Sequence, residues 1–230
     1  MTVLLGHLGI AERLECPAAR SDWLGADERA RLDAMQHPQR RAQFLAGHTL
    51  ARELLAQYQG VGVEAWTIER GEHGAPRVLW RGQASHLHLS IAHSDGQVFC
   101  AVAAQPVGVD IEQARRERDW LDLATALYPA VFVAQLRSSV EAVRRHLFLQ
   151  RWTLDEALAK AQGTGLKPKE LRTQVWRMAE AGAAQAWTWQ VADTWLALAC
   201  CKTFQCSPDF RWYGSPESAV PQAWSWHRTR

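Results

Sequence analysis

The chain has 230 residues, of which 47% are hydrophobic and 22% are charged, a composition typical of a globular protein with a sizeable core. This composition excludes a disordered chain, a collagen-like fibre and a small disulfide scaffold. No apolar run approaches the roughly 20 residues that cross a bilayer, and the first residues show no secretory leader. We therefore expect no membrane association. The net charge of +2 is too small to indicate a nucleic-acid partner by itself.

The five cysteines indicate a reducing compartment. They form no CxxC pair and no Cys/His spacing typical of a metal site; they are Cys16, Cys100, Cys200, Cys201 and Cys206. Three of them stand in apolar, strand-like runs, where a buried thiol behaves as a small hydrophobe. We expect reduced, structural cysteines and a cytoplasmic protein.

The first half of the chain predicts helices followed by strands. Residues 27–57 predict helix, broken once at His37-Pro38 because proline disrupts a helical turn. Residues 59–82 are rich in turn-forming glycines around one short strand near residues 66–68. Residues 86–93 alternate and residues 98–104 are apolar, which predicts a hairpin.

The second half repeats that order. Residues 107–112 predict a strand, and residues 114–166 predict interrupted helices, the best of which covers residues 144–162. Strands follow at residues 174–178, 186–192 and 195–202, whereas the tail from Ser207 has the Pro, Gly and Ser content of an irregular segment. We predict an α+β protein of two similar halves, residues 1–106 and 107–230.

One segment places two carboxylates on a single face of a strand. In the Gly-Val-Asp-Ile-Glu sequence of residues 108–112, Asp110 and Glu112 project to the same side while the apolar residues between them point into the core. Two adjacent carboxylates repel each other unless a positive charge lies between them. Mg²⁺ is a natural partner, although a solvated acidic strand edge has the same pattern.

A second segment places Glu156 and Lys160 four residues apart, so that they share one face of a helix. A Glu-Lys pair at this spacing is also a common surface ion pair. Trp152 nearby and the Gly-Thr-Gly turn at residues 163–165 favour a functional surface.

Two further elements carry groups that suit a phosphate. The turn after Ala92 presents backbone N–H groups, the His93 imidazole and the Ser94 hydroxyl. Arg40 and Arg41 supply guanidinium groups, whose geometry matches phosphate oxygens. Each feature alone is weak, because such turns and such arginines are common on ordinary surfaces.

The order of these pieces resembles the 4′-phosphopantetheinyl transferases of the larger, two-lobed type that acts as a monomer. An Arg-rich helix with a Phe-Leu-Ala-Gly stretch is followed by a Gly-x-Pro turn, a His-Ser turn, the Gly-Val-Asp-Ile-Glu strand and a Trp-x-x-x-Glu-Ala-x-x-Lys helix. These elements fall at residues 40–48, 74–76, 92–94, 108–112 and 152–160. The likeness covers residues 27–166.

The chain departs from the family pattern at four positions. Asp155 and Ala75 stand where the family has lysines, Ala92 replaces a serine, and His48 replaces an arginine. Each of the first three changes removes a contact to coenzyme A that the resemblance implies. Arg77 is a candidate replacement for one of the lost charges.

The resemblance implies a Mg²⁺-dependent transfer of the phosphopantetheine arm of coenzyme A to a serine of an acyl or peptidyl carrier protein, with release of adenosine 3′,5′-bisphosphate. The nucleotide would lie on the first half, and the metal and the carrier on the second. The implied ligands are Asp110, Glu112 and Glu156 for the metal, and Arg40, Arg41, His93, Ser94 and Lys160 for coenzyme A. The implied catalytic residues are Glu156, which would take the serine proton, together with Lys160 and Asp110.

The carrier is expected to be acidic, and basic residues after the acidic strand are candidates to meet it. They are Arg115, Arg116 and Arg118, extended by Arg137, Arg144 and Arg145. An ordinary charged helix surface is the alternative interpretation.

Two other functions compete. The chain could bind a carrier protein or coenzyme A without catalysis, because two family lysines are lost. A metal-dependent nuclease also combines Asp, Glu and Lys, but such sites normally place Glu and Lys on a strand, and the weak basic charge fits nucleic acid poorly.

Overall fold

The computed structural model describes residues 1–10, 21–71, 74–114, 119–180, 182–203, 208–214 and 219–228. Two cysteines on which predictions rest, Cys16 and Cys206, and the basic segment 115–118 lie outside the described residues. Cys100, Cys200 and Cys201 carry free thiols, the first two of them buried.

The first half begins with a strand that the sequence pattern did not predict. The elements are β1 (Thr2–Gly9), α1 (Ala26–Ala34), α2 (Pro38–Gln59), β2 (Trp66–Arg70), β3 (Pro76–Trp80), β4 (Gln83–Ala84), β5 (His88–Ser94) and β6 (Gln97–Ala103). The break before Pro38 and the hairpin of β5 and β6 are confirmed. Residues 59–82 hold one strand more than the one expected, and the short β4 follows directly after them.

The second half follows the predicted order up to residue 202. Its elements are β7 (Val107–Gln113), α3 (Trp120–Leu127), α4 (Ala130–Ser138), α5 (Glu141–Gln162), α6 (Pro168–Leu171), β8 (Gln174–Met178), β9 (Ala186–Val191), β10 (Thr194–Cys200), β11 (Asp209–Tyr213) and β12 (Gln222–Arg228). The helix α5 ends as predicted, because Gly163 adopts the left-handed φ of 67° that suits a helix C-terminus.

The prediction of an irregular tail was wrong, because β11 and β12 both belong to sheets. The aromatic residues of β11 alternate with polar ones and turn toward the core. Phe210 lies 5.3 Å from the ring of Trp187, and Trp212 lies 5.2 Å from that of Trp189. Such aromatic contacts outweigh the turn-forming composition around them.

Two sheets form the frame, and each carries a 22-residue helix on one face. The first sheet has the order β11-β1-β6-β5 and packs against α2, whereas the second has the order β7-β10-β9-β12-β8 and packs against α5. A small third sheet contains β2, β3 and β4. The α+β prediction is confirmed.

The two large sheets share one hydrophobic core. Val3 and Phe99 of the first sheet and Val109, Trp189 and Leu196 of the second pack into a single cluster. The strand β11 runs parallel to β1 in the first sheet, although it comes from residues after 106. The division into residues 1–106 and 107–230 stays a prediction.

In the part of the chain that the structure describes, no helix is long and apolar enough to cross a membrane.

Candidate active site

The close approach of α5 to β7 brings two of the predicted residues into contact. A Cβ at Gly108 would lie only 2.0 Å from the carbonyl oxygen of Ala157, so a glycine is required where the strand passes under the helix. Lys160, one helical turn further on, donates a hydrogen bond of 2.7 Å from its Nζ to Oδ1 of Asp110. The glycine of the acidic strand therefore sets the distance on which this ion pair depends.

Asp110 has one oxygen that no protein donor satisfies. Its side chain is buried, and Oδ2 accepts no hydrogen bond from the described residues. Burial raises the pKa of Asp110, although Lys160 and the backbone N–H of Ile111 oppose the rise. Because a buried polar atom normally finds a partner, this oxygen points to a bound group.

Glu156 lies close enough to Asp110 for their charges to interact. Burial raises the pKa of Glu156, the negative charge of Asp110 raises it further, and Lys160 opposes the rise. The structure thus brings Asp110, Glu156 and Lys160 together. A carboxylate with a raised pKa is a stronger proton acceptor than an ordinary one.

Glu112 shares the strand face with Asp110 but is directed toward the β5–β6 turn, where the Ser94 hydroxyl donates a 3.4 Å hydrogen bond to its Oε2. Among the described residues, no group of three His, Cys, Asp or Glu side chains is close enough to hold a metal ion. The set of Asp110, Glu112 and Glu156 as metal ligands stays a prediction.

Three adjoining cavities lie along the junction of the two sheets. The first, of about 230 Å³, is lined by Glu156 and Lys160 and by the turn at Ala75. The second, of about 390 Å³, meets the first at Gly74, Pro76 and Ile91. The third, of about 370 Å³, adjoins the second and is lined by both Glu112 and Ser94. We call them the junction cavity, the cationic cavity and the turn cavity.

Basic side chains surround the cationic cavity. They are Arg31, Arg40, His48, Arg70 and His93. Burial lowers the pKa of His93, and the positive charges of Lys160 and Arg40 lower it further. The positive charges of Lys160 and Arg40 beside His93 make this a place that favours an anion.

Arg41 lines none of the three cavities. Its guanidinium donates hydrogen bonds to the carbonyl oxygens of Leu32 and Met35 at the end of α1, the second at 3.4 Å. These bonds satisfy carbonyls that a helix terminus leaves without intrahelical donors. The contact of Arg41 with a nucleotide phosphate stays a prediction.

Asp155 faces away from the cavities and into the core. Its carboxylate accepts hydrogen bonds of 2.8 Å from Arg151 Nε, 2.8 Å from Gln174 Nε2 and 2.7 Å from Trp176 Nε1. The expectation that this position removes a coenzyme A contact does not agree with the buried network, since the side chain binds α5 to β8.

Arg77 is also occupied elsewhere. Its guanidinium donates two hydrogen bonds to Oε2 of Glu69, one of them at 3.1 Å, and its side chain is 60% exposed. Arg77 lines none of the three cavities, whereas Glu69 lines the cationic one. Arg77 therefore neutralises an acidic group of the cavity wall and is not placed to replace the lysine missing at Ala75.

His48 belongs to a buried triad under the cationic cavity. Its Nδ1 lies 2.5 Å from Oε1 of Glu28, and Arg52 donates to both carboxylate oxygens of Glu28. Burial disfavours the charged carboxylate, but these bonds and the N–H of Gly25 outweigh it and lower the pKa of Glu28 to about 2. The triad fixes α1 against α2, which carries Arg40.

Of the expected carrier-binding arginines that the structure describes, two have structural partners. Arg144 donates to the carbonyls of Leu136 and Ser139, and Arg145 donates to the carbonyl of Ala114. Arg137 is exposed at the end of α4.

Sequence patterns missed two residues of the cavity walls, Glu69 and Arg70. Both stand at the end of β2, in a stretch whose glycine content predicts a turn. No alternation of apolar and polar residues predicts which way their side chains project. In the structure β2 pairs with β3 over this stretch, and both residues line the cationic cavity.

Comparison with known proteins shows that part of this chain is similar to one protein family. Residues 106–201, which contain β7 and α5, match the family model of the 4′-phosphopantetheinyl transferase superfamily. The 4′-phosphopantetheinyl transferase HetI of Nostoc is 30% identical over 64% of this chain and 62% of its own length. The transferase Sfp of Bacillus subtilis is 23% identical over 63% of this chain and 62% of its own length.

Among solved structures, the holo-(acyl-carrier-protein) synthase of Bacillus anthracis in complex with CoA gives a TM-score of 0.37 at 18% identity, covering 44% of this chain and 92% of that one. The chain spans less than two thirds of the length of the two curated relatives. The family match falls on the strand of Asp110 and the helix of Lys160, so the resemblance drawn from the sequence is confirmed, and residues 106–201 of the chain are similar to the 4′-phosphopantetheinyl transferase superfamily.

Proposed function

We propose that the chain transfers the 4′-phosphopantetheine arm of coenzyme A to a serine of an acyl or peptidyl carrier protein. The observation that carries this proposal is the contact between Lys160 and Asp110, with Glu156 beside them, at a cavity that adjoins a cationic one. A cationic cavity suits the nucleotide phosphates, and the junction cavity suits the pyrophosphate. Both reactants would then meet at the boundary of the two halves.

Mg²⁺ is the metal that the resemblance implies, and the residues present fit it. The unsatisfied Oδ2 of Asp110 and the neighbouring carboxylate of Glu156 are hard oxygen ligands, and Mg²⁺ typically takes one or two carboxylates together with phosphate oxygens. Glu112 completes the proposed ligand set. When bound, the metal neutralises charge on the phosphate oxygens.

The chain's own residues supply the rest of the reaction. Lys160 places a positive charge beside the pyrophosphate, while Arg40, His93 and Ser94 hold the phosphate at the nucleotide end. Holding both reactants in line accounts for about 7–11 kcal/mol in favourable intramolecular reactions.

Glu156 is the proposed proton acceptor. The serine oxygen of the carrier forms a bond to the phosphorus next to pantetheine, and the phosphoanhydride bond to the nucleotide breaks. The serine proton passes to the carboxylate of Glu156, and adenosine 3′,5′-bisphosphate leaves with the electron pair of the broken bond. The raised pKa of Glu156 supports this role.

The finer properties belong to the same proposal. Arg137 would contribute to the docking of an acidic carrier, since it is the described arginine of that group with an exposed position. The free, buried thiols of Cys100 and Cys200 support a reducing, cytoplasmic location. A monomer with no nucleic-acid partner is expected from the two-lobed resemblance.

A non-catalytic binding protein is the alternative, and the structure weakens its basis. That alternative rested partly on the loss of a lysine at Asp155, but Asp155 lies in the core and not at the cavities. The placement of Glu156 and Lys160 on a helix also supports the transferase over a nuclease.

Intact-protein mass spectrometry tests the proposal. A panel of apo carrier proteins is incubated with the chain, coenzyme A and Mg²⁺, and a gain of one phosphopantetheine mass is expected on at least one carrier. Asp110→Asn and Glu156→Gln should lower the rate about a thousandfold, a typical loss for groups of this kind. Urea unfolding of each variant shows that the fold is kept.

Two outcomes would overturn it. If coenzyme A binds but no carrier gains mass, the chain is a binding protein. If the two variants transfer at the wild-type rate, the acidic site does not carry the reaction.

A further inference from the structure

The cationic cavity contains an arginine that the family pattern does not include. Arg70 ends the strand β2 and is paired in register with Pro76 of β3. Arg70 lines the cationic cavity together with Arg31, Arg40 and His93. Ala75, where the pattern has a lysine, follows on the other side of the same β2–β3 turn.

The guanidinium of Arg70 lies beside Gly74 of the β2–β3 connection. A Cβ placed at Gly74 would lie 3.9 Å from both Nε and Nη2 of Arg70, and Gly74 has a φ of 84°, a conformation that side chains other than glycine rarely adopt. The guanidinium of Arg70 therefore lies at van der Waals distance from Gly74, where the left-handed φ and not the space favours glycine.

The charge of Arg70 is not neutralised within the described part of the chain, where no carboxylate forms an ion pair with it. The nearest acidic residue in sequence, Glu69, accepts both of its strong hydrogen bonds from Arg77. The pairing of Glu69 with Arg77 therefore leaves Arg70 available to an anion.

Arg70 belongs to the cationic cavity and not to the junction cavity, where Glu156 and Lys160 lie. A phosphate bound in the cationic cavity would lie apart from the pyrophosphate proposed for the junction cavity, which the cationic cavity meets at Gly74. In coenzyme A the phosphate that is distant from the pyrophosphate is the 3′-phosphate of the ribose.

We infer that Arg70 binds the 3′-phosphate of coenzyme A in the cationic cavity. The inference rests on the proposed function for the identity of the ligand. Arg70 acts on binding and selectivity: it favours coenzyme A over 3′-dephospho-coenzyme A and takes no part in the bond that breaks.

Calorimetric titration of the full chain tests the inference without any carrier protein. The probes are coenzyme A, adenosine 3′,5′-bisphosphate and 3′-dephospho-coenzyme A, each titrated into wild type, Arg70→Gln and Arg70→Lys. The matched control is Arg81→Gln, which removes an exposed arginine from the same small sheet, where it lies over the ring of Trp80 and lines none of the cavities.

Arg70→Gln should weaken binding of coenzyme A and of the bisphosphate about tenfold, as the loss of a charge-assisted hydrogen bond to phosphate does. Binding of the dephospho compound should change by less than about twofold. Arg70→Lys should recover part of the affinity, and Arg81→Gln should match wild type. In transfer assays the KM for coenzyme A should rise with little change in kcat, because the lost contact is made equally in the ground and transition states.

Unchanged binding of coenzyme A to Arg70→Gln would overturn the inference, as would an equal loss for coenzyme A and its dephospho form. Failure of the wild type to bind any of the three nucleotides would overturn it as well. If the nucleotides bind and Arg70→Gln shows the selective loss while no carrier is modified, the transferase proposal fails and the assignment of Arg70 stands.

Discussion

Glu28 and Asp110 are both buried carboxylates that pair with a cation on a long helix, Arg52 of α2 and Lys160 of α5, yet their surroundings differ. Glu28 receives donors on both oxygens, from Arg52, His48 and the N–H of Gly25, and its pKa is lowered to about 2. Asp110 has Lys160 on one oxygen and no described protein donor on the other, and its pKa is raised. In the first half both oxygens of the buried carboxylate accept hydrogen bonds. In the second half one oxygen of the buried carboxylate accepts none from the described residues.

This difference separates residues that hold the fold from residues that act. A carboxylate with a full set of donors contributes to stability, and removing one partner from such a buried set costs about 3–5 kcal/mol. A carboxylate with an unsatisfied oxygen sacrifices stability, and that is common at functional sites. Asp155, with three donors, belongs with Glu28 by its hydrogen bonds although it adjoins Glu156 in sequence and its burial raises its pKa.

The largest effect is expected from restoring the family lysine at position 155. Asp155→Lys would place an ammonium group against Arg151 in the core and leave the donors of Gln174 and Trp176 without their acceptor. We expect the free energy of unfolding to fall by about 4 kcal/mol or more, with no gain in transfer. Urea unfolding followed by tryptophan fluorescence measures the change.

Glu141→Lys is the matched control, because it reverses a charge on the same helix at a side chain that is 77% exposed. Its cost should stay below about 1 kcal/mol. A stable Asp155→Lys variant with faster transfer would show that position 155 faces coenzyme A. The number of donors to a carboxylate would then not separate structural from functional residues on α5.

A smaller effect, with a defined pH window, is expected from Glu28. Its pKa is about 2 in the folded chain against an ordinary value of 4.5, so its contribution to stability is fully present above pH 4.5 and is lost as the pH falls toward 2. The shift corresponds to about 3 kcal/mol. Urea unfolding of the wild type across pH 7 to pH 2 measures the loss.

Glu28→Gln separates this contribution from general acid denaturation. The variant should be less stable than the wild type by about 3 kcal/mol at pH 7, and the difference should shrink toward zero as the pH approaches 2. A difference that stays constant with pH would mean that the triad stabilises the fold by packing and not by charge.

The sequence predicted the parts of this molecule that have a period or a fixed spacing. The alternation in β7 placed Asp110 and Glu112 on one face, and the four-residue spacing on α5 placed Glu156 beside Lys160. Both β11 and β12 were missed, since their alternation is short and lies among turn-forming residues. The pairing of β1 with β6 and β11 was missed for another reason: these strands are far from β1 in sequence, with Val3 opposite Ala103 of β6 and Thr2 opposite Asp209 of β11.

The directions of individual charged side chains were the least predictable part of the site. Adjacent arginines at positions 40 and 41 have the same sequence signal, but only Arg40 lines a cavity, because successive residues of a helix point about 100° apart. Arg77 and Arg70 stand on two paired strands and also differ: Arg77 donates to Glu69, whereas Arg70 lines the cationic cavity. Only the packed structure shows which charge is already paired.

The smallest effects come from exchanging the roles of those two adjacent arginines. Arg41→Gln removes donors from the carbonyls of Leu32 and Met35, so it should lower the free energy of unfolding by about 1 kcal/mol and leave coenzyme A affinity unchanged. Arg40→Gln should leave stability unchanged and weaken coenzyme A binding about tenfold. Urea unfolding and calorimetric titration of both variants give the four values, with each variant serving as the control for the other. Weaker binding in Arg41→Gln at wild-type stability would place Arg41 on the nucleotide, in agreement with the sequence pattern and against the observed contacts.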